Sequence, residues 1–489
     1  MKHIIKLFIA IMAFSSCTDL KDKVYSDLLA SNFPENIRQA DQIAFPAYAK
    51  LQSHVDGGWW FGQELTGDLI VAPTRAGDWD DGGKWRVLHT HKWDNKNETV
   101  QGMWGNFYAG VTECNKAIEY LGTAATATNT IAQMHVLRAY YNYLLIDNYG
   151  SVPYITSFSN APKLPLKSPR DSIFNAIIGD IKASIPNLSG TAKSAVNKYT
   201  AYALLAKLYL NAQIYTGTPM WQEAESYCDS VIAGPYHLES NRLAPFVTQN
   251  ELSPENIFTI PYDEDNYQGF ILHCRTLHYN STETFDAKTG FWNGFCTQEK
   301  LVDLFEDNDT RKKALLIGQQ YSSSGTPLVD VGASSNLIFT KQVPALNMTA
   351  ALFTSAQIRM SGARMVKFEV KKGVKFNLSN DYPIFRLADF ILMKAECELR
   401  KGNVPSAKSL INQIRVSAGA TAWNDVDITL DNLLDERARE MWCEAHRRQD
   451  LIRFNKFKNS WWEKAADSEI NYVFPIPQTA IDSNPNLAK

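Results

Sequence analysis

The chain has 489 residues, of which 45% are hydrophobic, 21% charged and 12% aromatic, and its formal net charge is −3. That much apolar material supports a large buried core and excludes an intrinsically disordered chain. The slight acidity, with no basic run anywhere, excludes a general nucleic-acid binder, which needs a basic face.

The first segment, MKHIIKLFIAIMAFSSC, has a basic start at Lys2 and Lys6, an apolar stretch from Leu7 to Phe14, and the small pair Ser15 and Ser16 before Cys17. This is the pattern of a secretory signal, too short for the about 20 apolar residues that span a bilayer. The small pair before a cysteine resembles a bacterial lipobox. Residues 1–16 are therefore expected to be cleaved off and Cys17 to carry lipid, with residues 17–35 as a tether. A diacyl or triacyl cysteine supplies on one residue the several chains that stable anchoring needs. Cys114, Cys228, Cys274, Cys296, Cys397 and Cys443 are scattered, without metal-ligand spacing. They read as buried thiols, with Cys274 and Cys296 the one pair to examine for a bridge.

Helical periodicity governs residues 36–235. NIRQADQIAFPAYAKLQSHV opens the series, with Pro46 expected to break it. TVQGMWGNFYAGVTECNKAIEYL and IAQMHVLRAYYNYLLIDNYG follow as a pair, then RDSIFNAIIGDIKASI and NKYTAYALLAKLYLNAQIY. In the last, Tyr202, Leu205, Leu208, Tyr209 and Ala212 form one apolar face. WQEAESYCDSVIAG closes this part, with Gly234 as its C-cap. Residues 236–380 are loop-rich, with TQEKLVDLFEDNDTR as a helix. Helices return over 381–489, where Leu430, Leu433, Leu434, Ala438, Met441, Trp442 and Ala445 share one stripe. EAHRRQD, around His446, reads as a structural helix end. AYALLAKLYLNA with WQEAESYCDSVI, and ADFILMKAECELRKGNVPSAKSLINQI, each read as helix, turn, helix. That is a degenerate tetratricopeptide-like pattern of stacked pairs, although an ordinary α bundle fits the periodicity nearly as well.

The segments YPIFRLADFILMKAECELRKG, INQIRVSAG, LLDERAREMWCEAHRRQDLIRF and YVFPIPQTAIDSNPNL resemble the SusD/RagB family of outer-membrane nutrient-binding lipoproteins. LRAYYNYLLIDNYGSVPYI, AYALLAKLYLNA and Cys17 agree. The resemblance implies a mainly α fold: a single domain over 17–489, built on tetratricopeptide-like helix pairs with a loop-rich ligand-binding half. It implies a cell-surface glycan-binding role, without enzyme activity or cofactor, beside a SusC-like TonB-dependent transporter in the outer membrane. A peptide-binding, RagB-type role is the first alternative and a surface glycoside hydrolase the second. Ligand residues vary within the family, so none is carried over by position.

The candidate ligand residues come from composition instead. The glycine-broken stretch over 57–95 holds Trp59, Trp60, Trp79, Trp85 and Trp93. Sugars present flat C–H faces to aromatic rings and a rim of hydroxyls to polar groups. Trp85, Trp79 and Trp59 are therefore candidates, with Asp81, Asp78, Asp68 and Arg75 as hydroxyl partners. Trp85, after DDGG, is expected to stand outward, with Lys84 and Arg86 on the opposite face of an extended segment. GFWNGF offers Phe291 and Trp292 as a second platform, with Tyr267 nearby. DWDDGG has the start of a calcium loop, but Gly82 falls where the third ligand belongs. HTHKW reads as a strand edge, with His89 and His91 either solvated or a weak metal pair. No zincin, nucleophile-elbow or P-loop motif is present.

Overall fold

The computed structural model describes residues 34–470 and 472–488. The signal segment and Cys17 lie outside the described residues.

The helices begin where polar side chains close their first turns. Asn36 accepts from the Gln39 amide at the start of the Ile37–Ala49 helix, and Asn97 caps Glu98–Leu121. Asn197 and Thr200 form a reciprocal capping box on Lys198–Leu210. Within Glu98–Leu121, Met103, Phe107, Val111, Cys114, Ala117 and Leu121 recur at three- and four-residue steps and are buried. Gly110 lets the next helix, Thr128–Tyr149, come close, because the Tyr141 ring occupies the space a side chain there would need. Tyr141 then donates to the Ala47 carbonyl at 2.8 Å, tying a third helix to the pair.

From there each helix packs on the next in sequence. Thr128–Tyr149 packs on Arg170–Ser184, that on Lys198–Leu210, and that on Trp221–Ile232. The chain then leaves the stack and rejoins it at Leu387–Arg400, which packs on both Trp221–Ile232 and Val404–Ser417. This is a stack of helix pairs of the tetratricopeptide type, interrupted by one long excursion. The excursion returns through a ladder of Asn256–Ile260 antiparallel to Tyr382–Arg386; the other strands of the described residues are two-residue pairs.

Three expectations need correction. The Ile37–Ala49 helix runs through Pro46 instead of breaking. Gln42 and Pro46 both lie on its exposed side, where water can take the carbonyl that proline leaves without a donor. Lys198–Leu210 has no single apolar face: it is buried nearly all round, including Lys207, which pairs with Asp389 at 2.7 Å. The stripe drawn from Leu430 to Ala445 is not one helix. The helix ends at Met441, and Cys443 and Ala445 turn through left-handed backbone before Arg447–Arg453 begins. The expectation for the cysteines holds: the six of the described residues are free, buried thiols, and Cys274 and Cys296 form no bridge.

The charges of this last region are buried with its apolar groups. Arg386 bonds Glu255, Glu440 and Glu444; Arg311 bonds Asp309, Glu436 and Glu440. Paired and hydrogen-bonded this fully, such charges lock the excursion to the stack, and removing one partner would strand the other in a dry interior.

Candidate functional site

The 57–95 stretch is fastened to the excursion at several points. Ile70–Val71 pairs antiparallel with Cys296–Thr297, and Thr74–Arg75 pairs parallel with Asn347–Met348. Arg75 acts as a staple. Its guanidinium donates to the carbonyls of Ile358 at 2.7 Å and Ser361 at 3.1 Å, and it is buried. Asp68 is also structural, held by Arg447 at 2.6 Å and Lys300 at 2.5 Å. Burial would push its carboxyl up, but those two cations outweigh burial and hold it well below the usual range. Neither residue is free to meet a sugar hydroxyl.

Trp85 is not displayed outward. Gly82 and Gly83, both at positive φ, turn the chain directly into a short helix, Lys84–His89. Helical spacing then puts Trp85, Leu88 and His89 on the buried side. Trp85 is 6% exposed, its ring packed edge-on to Phe61 and Phe295 at 5.2 and 5.4 Å, and its indole N–H donates to Asp81 Oδ2 at 2.7 Å. Lys84 does not face away either: its ammonium lies 4.9 Å from the Trp85 ring centre.

Trp59 is buried against His54 and Tyr382, and Phe291 against His273 and Phe285. Both belong to the core. Trp60 is fully buried, its N–H on the Cys443 carbonyl at 3.0 Å, and Trp93 packs on Phe474. His89 and His91 are buried, not solvated, and each ring bonds a carbonyl, of Trp462 and Thr66 respectively. Burial pulls His89 down to about 4, so it stays neutral. No group of three or more His, Cys, Asp or Glu among the described residues is placed to hold a metal.

The remaining candidates do converge. Trp79, Trp85, Asp78 and Asp81 line a cleft of about 680 Å³ together with Trp292 from the excursion. Trp79 sits in left-handed backbone with its ring over Gly294, and its N–H donates to the Trp292 carbonyl at 2.8 Å. The half-buried rings of Trp79 and Trp292 stand 6.5 Å apart, and Trp292 continues to the exposed Phe376 at 6.0 Å. Tyr267 is elsewhere, in edge contact with Phe45.

Sequence reasoning missed Arg275 and Tyr279, both of which line the cleft. Arg275 lies over the rings of Phe61 at 4.9 Å and Trp292 at 5.4 Å, and its Nε donates to Asp56 at 2.6 Å. Its terminal nitrogens have no hydrogen bond among the described residues. Tyr279 donates to Asp78; burial, with that carboxylate beside it, pushes the phenol up to about 12, so it stays a donor. Arg275 and Tyr279 reach the cleft because backbone bonds pair 274–277 with 292–295: Trp292 N–H to the Cys274 carbonyl at 2.7 Å, and Gly294 N–H to that of Arg275 at 2.9 Å. HCRTLHY carries no local signal of that pairing.

The cleft therefore offers two tilted indole faces, a guanidinium fork and four carboxylates. Each carboxylate already has a partner: Arg275 on Asp56, Tyr279 on Asp78, Trp85 on Asp81, Lys84 on Glu98. The arrangement is built for stacking and hydrogen bonding.

The family model described as "SusD family" matches residues 254–489, and one described as "Starch-binding associating with outer membrane" matches 68–210. The chain is 25% identical over 458 residues to the "Starch-binding protein SusD" of Bacteroides thetaiotaomicron, covering 84% of this chain and 82% of that one. It is 22% identical over 523 residues to the "SusD-like protein P2" of Formosa agariphila, covering 99% and 98%. Among solved structures it is similar to a "Laminarin binding SusD-like protein", with a TM-score of 0.72 at 20% identity over 92% of this chain and 98% of that one. The same TM-score, identity and coverage relate it to "Surface glycan-binding protein A from Bacteroides thetaiotaomicron in complex with laminarihexaose".

Proposed function

Because the chain belongs to the SusD family, we propose that it is a non-enzymatic, cell-surface glycan-binding protein of the outer membrane. In this reading lipid on Cys17 anchors it, and it hands its ligand to a SusC-like TonB-dependent transporter. Among the described residues no helix is long and apolar enough to cross a membrane.

The observation that carries the binding role is the pair of half-buried indoles, Trp79 and Trp292, lining a cleft with a guanidinium whose terminal nitrogens have no hydrogen bond among the described residues. A pyranose stacked on an indole presents its hydroxyls sideways. Arg275 is placed to donate to them and Asp78 to accept. A peptide would want apolar side-chain pockets and open strand edges; the cleft wall offers flat rings and carboxylates. The names of relatives that bind starch and laminarin direct the choice of probes.

Calorimetric titration with laminari- and malto-oligosaccharides and with a matched panel of peptides tests the reading. We expect binding to an oligosaccharide, its loss in Trp292→Ala, and recovery of the sugar uncleaved. Binding confined to peptides, or release of shorter sugars, overturns it.

A further inference from the structure

A second cavity, of about 560 Å³, lies apart from the indole cleft and has no part in the reading above. Ala44 and Tyr48 of the Ile37–Ala49 helix form one wall, and Val196 and Ile260 form another. At its edge stand Phe45 and Tyr267, 50% and 41% exposed, in edge-on contact with ring centres 6.3 Å apart. A single exposed apolar side chain is ordinary. Two aromatics held in contact beside an apolar hollow form a patch of the kind that marks a binding surface.

The polar side chains around the hollow are neutral amides and hydroxyls, apart from Asp41. Gln133 Oε1 accepts from the Tyr48 hydroxyl at 3.3 Å, and Asn129 Oδ1 from the Ser189 amide at 2.8 Å. The amide nitrogens of Gln133 and Asn129, and the whole Gln52 side chain, have no partner among the described residues. Among the described residues Asp41 is the one charged residue lining it. Rings with free amides and no cation suit an uncharged, hydroxyl-rich ligand.

One helical run links the hollow to the indole cleft. Gln52 lines the first and Asp56 the second. They belong to one helical run, Lys50–Gln52 followed by Ser53–Asp56. Four residues correspond to about 6 Å of rise, and positions four apart project from the same side. The Tyr267 loop is tied to this run. Tyr262 donates to the Gln52 carbonyl at 2.7 Å, and the Asp263 amide to the Tyr267 carbonyl at 3.0 Å.

We propose that the two cavities are successive parts of one extended site for a neutral oligosaccharide chain. A chain seated on Trp79 and Trp292 passes Gln52 and stacks its further sugars on Phe45 and Tyr267. This rests on the glycan-binding reading and adds a selection by chain length.

The test uses the full chain, as wild type, as the double variant Phe45→Ala with Tyr267→Ala, and as Trp292→Ala. Both rings of the double variant are exposed, so the fold should survive; circular dichroism and a melting curve check it. Short and long laminari- and malto-oligosaccharides are titrated into each. Wild type should bind long chains more tightly than short ones. The double variant should keep short-chain affinity and lose the gain, roughly tenfold for two stacking contacts. Equal affinity for short and long chains in wild type overturns the inference, as does a double variant that still binds long chains like wild type. In both cases a Trp292→Ala defect leaves the glycan-binding reading standing. Failure of wild type to bind any chain overturns both.

Discussion

Trp85 and Trp292 line the same cleft, yet their truncation should have opposite consequences. Trp85 is 6% exposed, with its indole N–H on Asp81 and its ring between Phe61, Phe295 and Trp79. Removing it empties a closed aromatic cluster, and such Trp→Ala changes cost about 3–5 kcal/mol. The lost hydrogen bond adds little, because Asp81 is exposed and water can replace the donor. Trp292 is half-buried with one face to the cleft. Trp292→Ala should cost less stability, about 1–2 kcal/mol, because water already reaches the ring. Its effect should fall on binding: stacking contributes about 0.5–1.5 kcal/mol beyond buried area, so affinity should drop roughly tenfold or more. Denaturant unfolding and oligosaccharide titration on both variants separate the two effects. A Trp85→Ala protein as stable as wild type would refute the assignment of that ring to the core. A Trp292→Ala protein with full affinity would refute the cleft as the ligand site.

Gly294→Ala should weaken binding without touching a ligand group, because its methyl would collide with the Trp79 ring; tryptophan fluorescence and titration read the displacement. Asp68→Asn should destabilise the fold by about 3–5 kcal/mol at neutral pH by leaving the buried Arg447 with no full counter-charge. In wild type the Asp68 carboxyl sits below its unfolded value, so its stabilisation is present above about pH 4 and drains away as pH falls further; unfolding midpoints across acid pH should show that slope shrink in the variant. Glu64 is the reverse case. Burial pushes its carboxyl up to about 7, so the native state loses stability as pH rises from about 4.5 to 7. Glu64→Gln keeps an acceptor for the Ala445 amide, and it should gain on the order of 2–3 kcal/mol over wild type at pH 8 and nothing at pH 4.

The helical stack was legible because its signal is local. Met103, Phe107, Val111 and Cys114 announce a buried face by spacing alone, and so do Ala407, Ile411 and Ile414. Reading failed where burial came from several sides at once. Lys207 and the charges of Glu436, Arg437 and Glu440 look solvated in sequence but are paired inside. Pro46 looked like a break because nothing in the sequence shows that Gln42 faces water. In the site, Trp79, Trp292, Asp78 and Asp81 were found by composition and the structure brings them together. Trp59, Phe291, Asp68 and Arg75 have the same residue types and are core or staples. The difference lies in long-range partners such as Tyr382, Arg447 and the Ser361 carbonyl. Trp85 was misjudged because DDGG reads as an extended display loop, whereas two left-handed glycines there start a helix. Arg275 was missed because only the backbone pairing of 274–277 with 292–295 carries it against the Trp292 ring.

A crystal structure of the full chain with a bound laminari- or malto-oligosaccharide tests the central claim most directly. The account predicts a sugar ring stacked on Trp292 or Trp79, with Arg275 within hydrogen-bonding distance of a hydroxyl. A sugar bound wholly elsewhere, with the indole cleft holding only solvent, would contradict it.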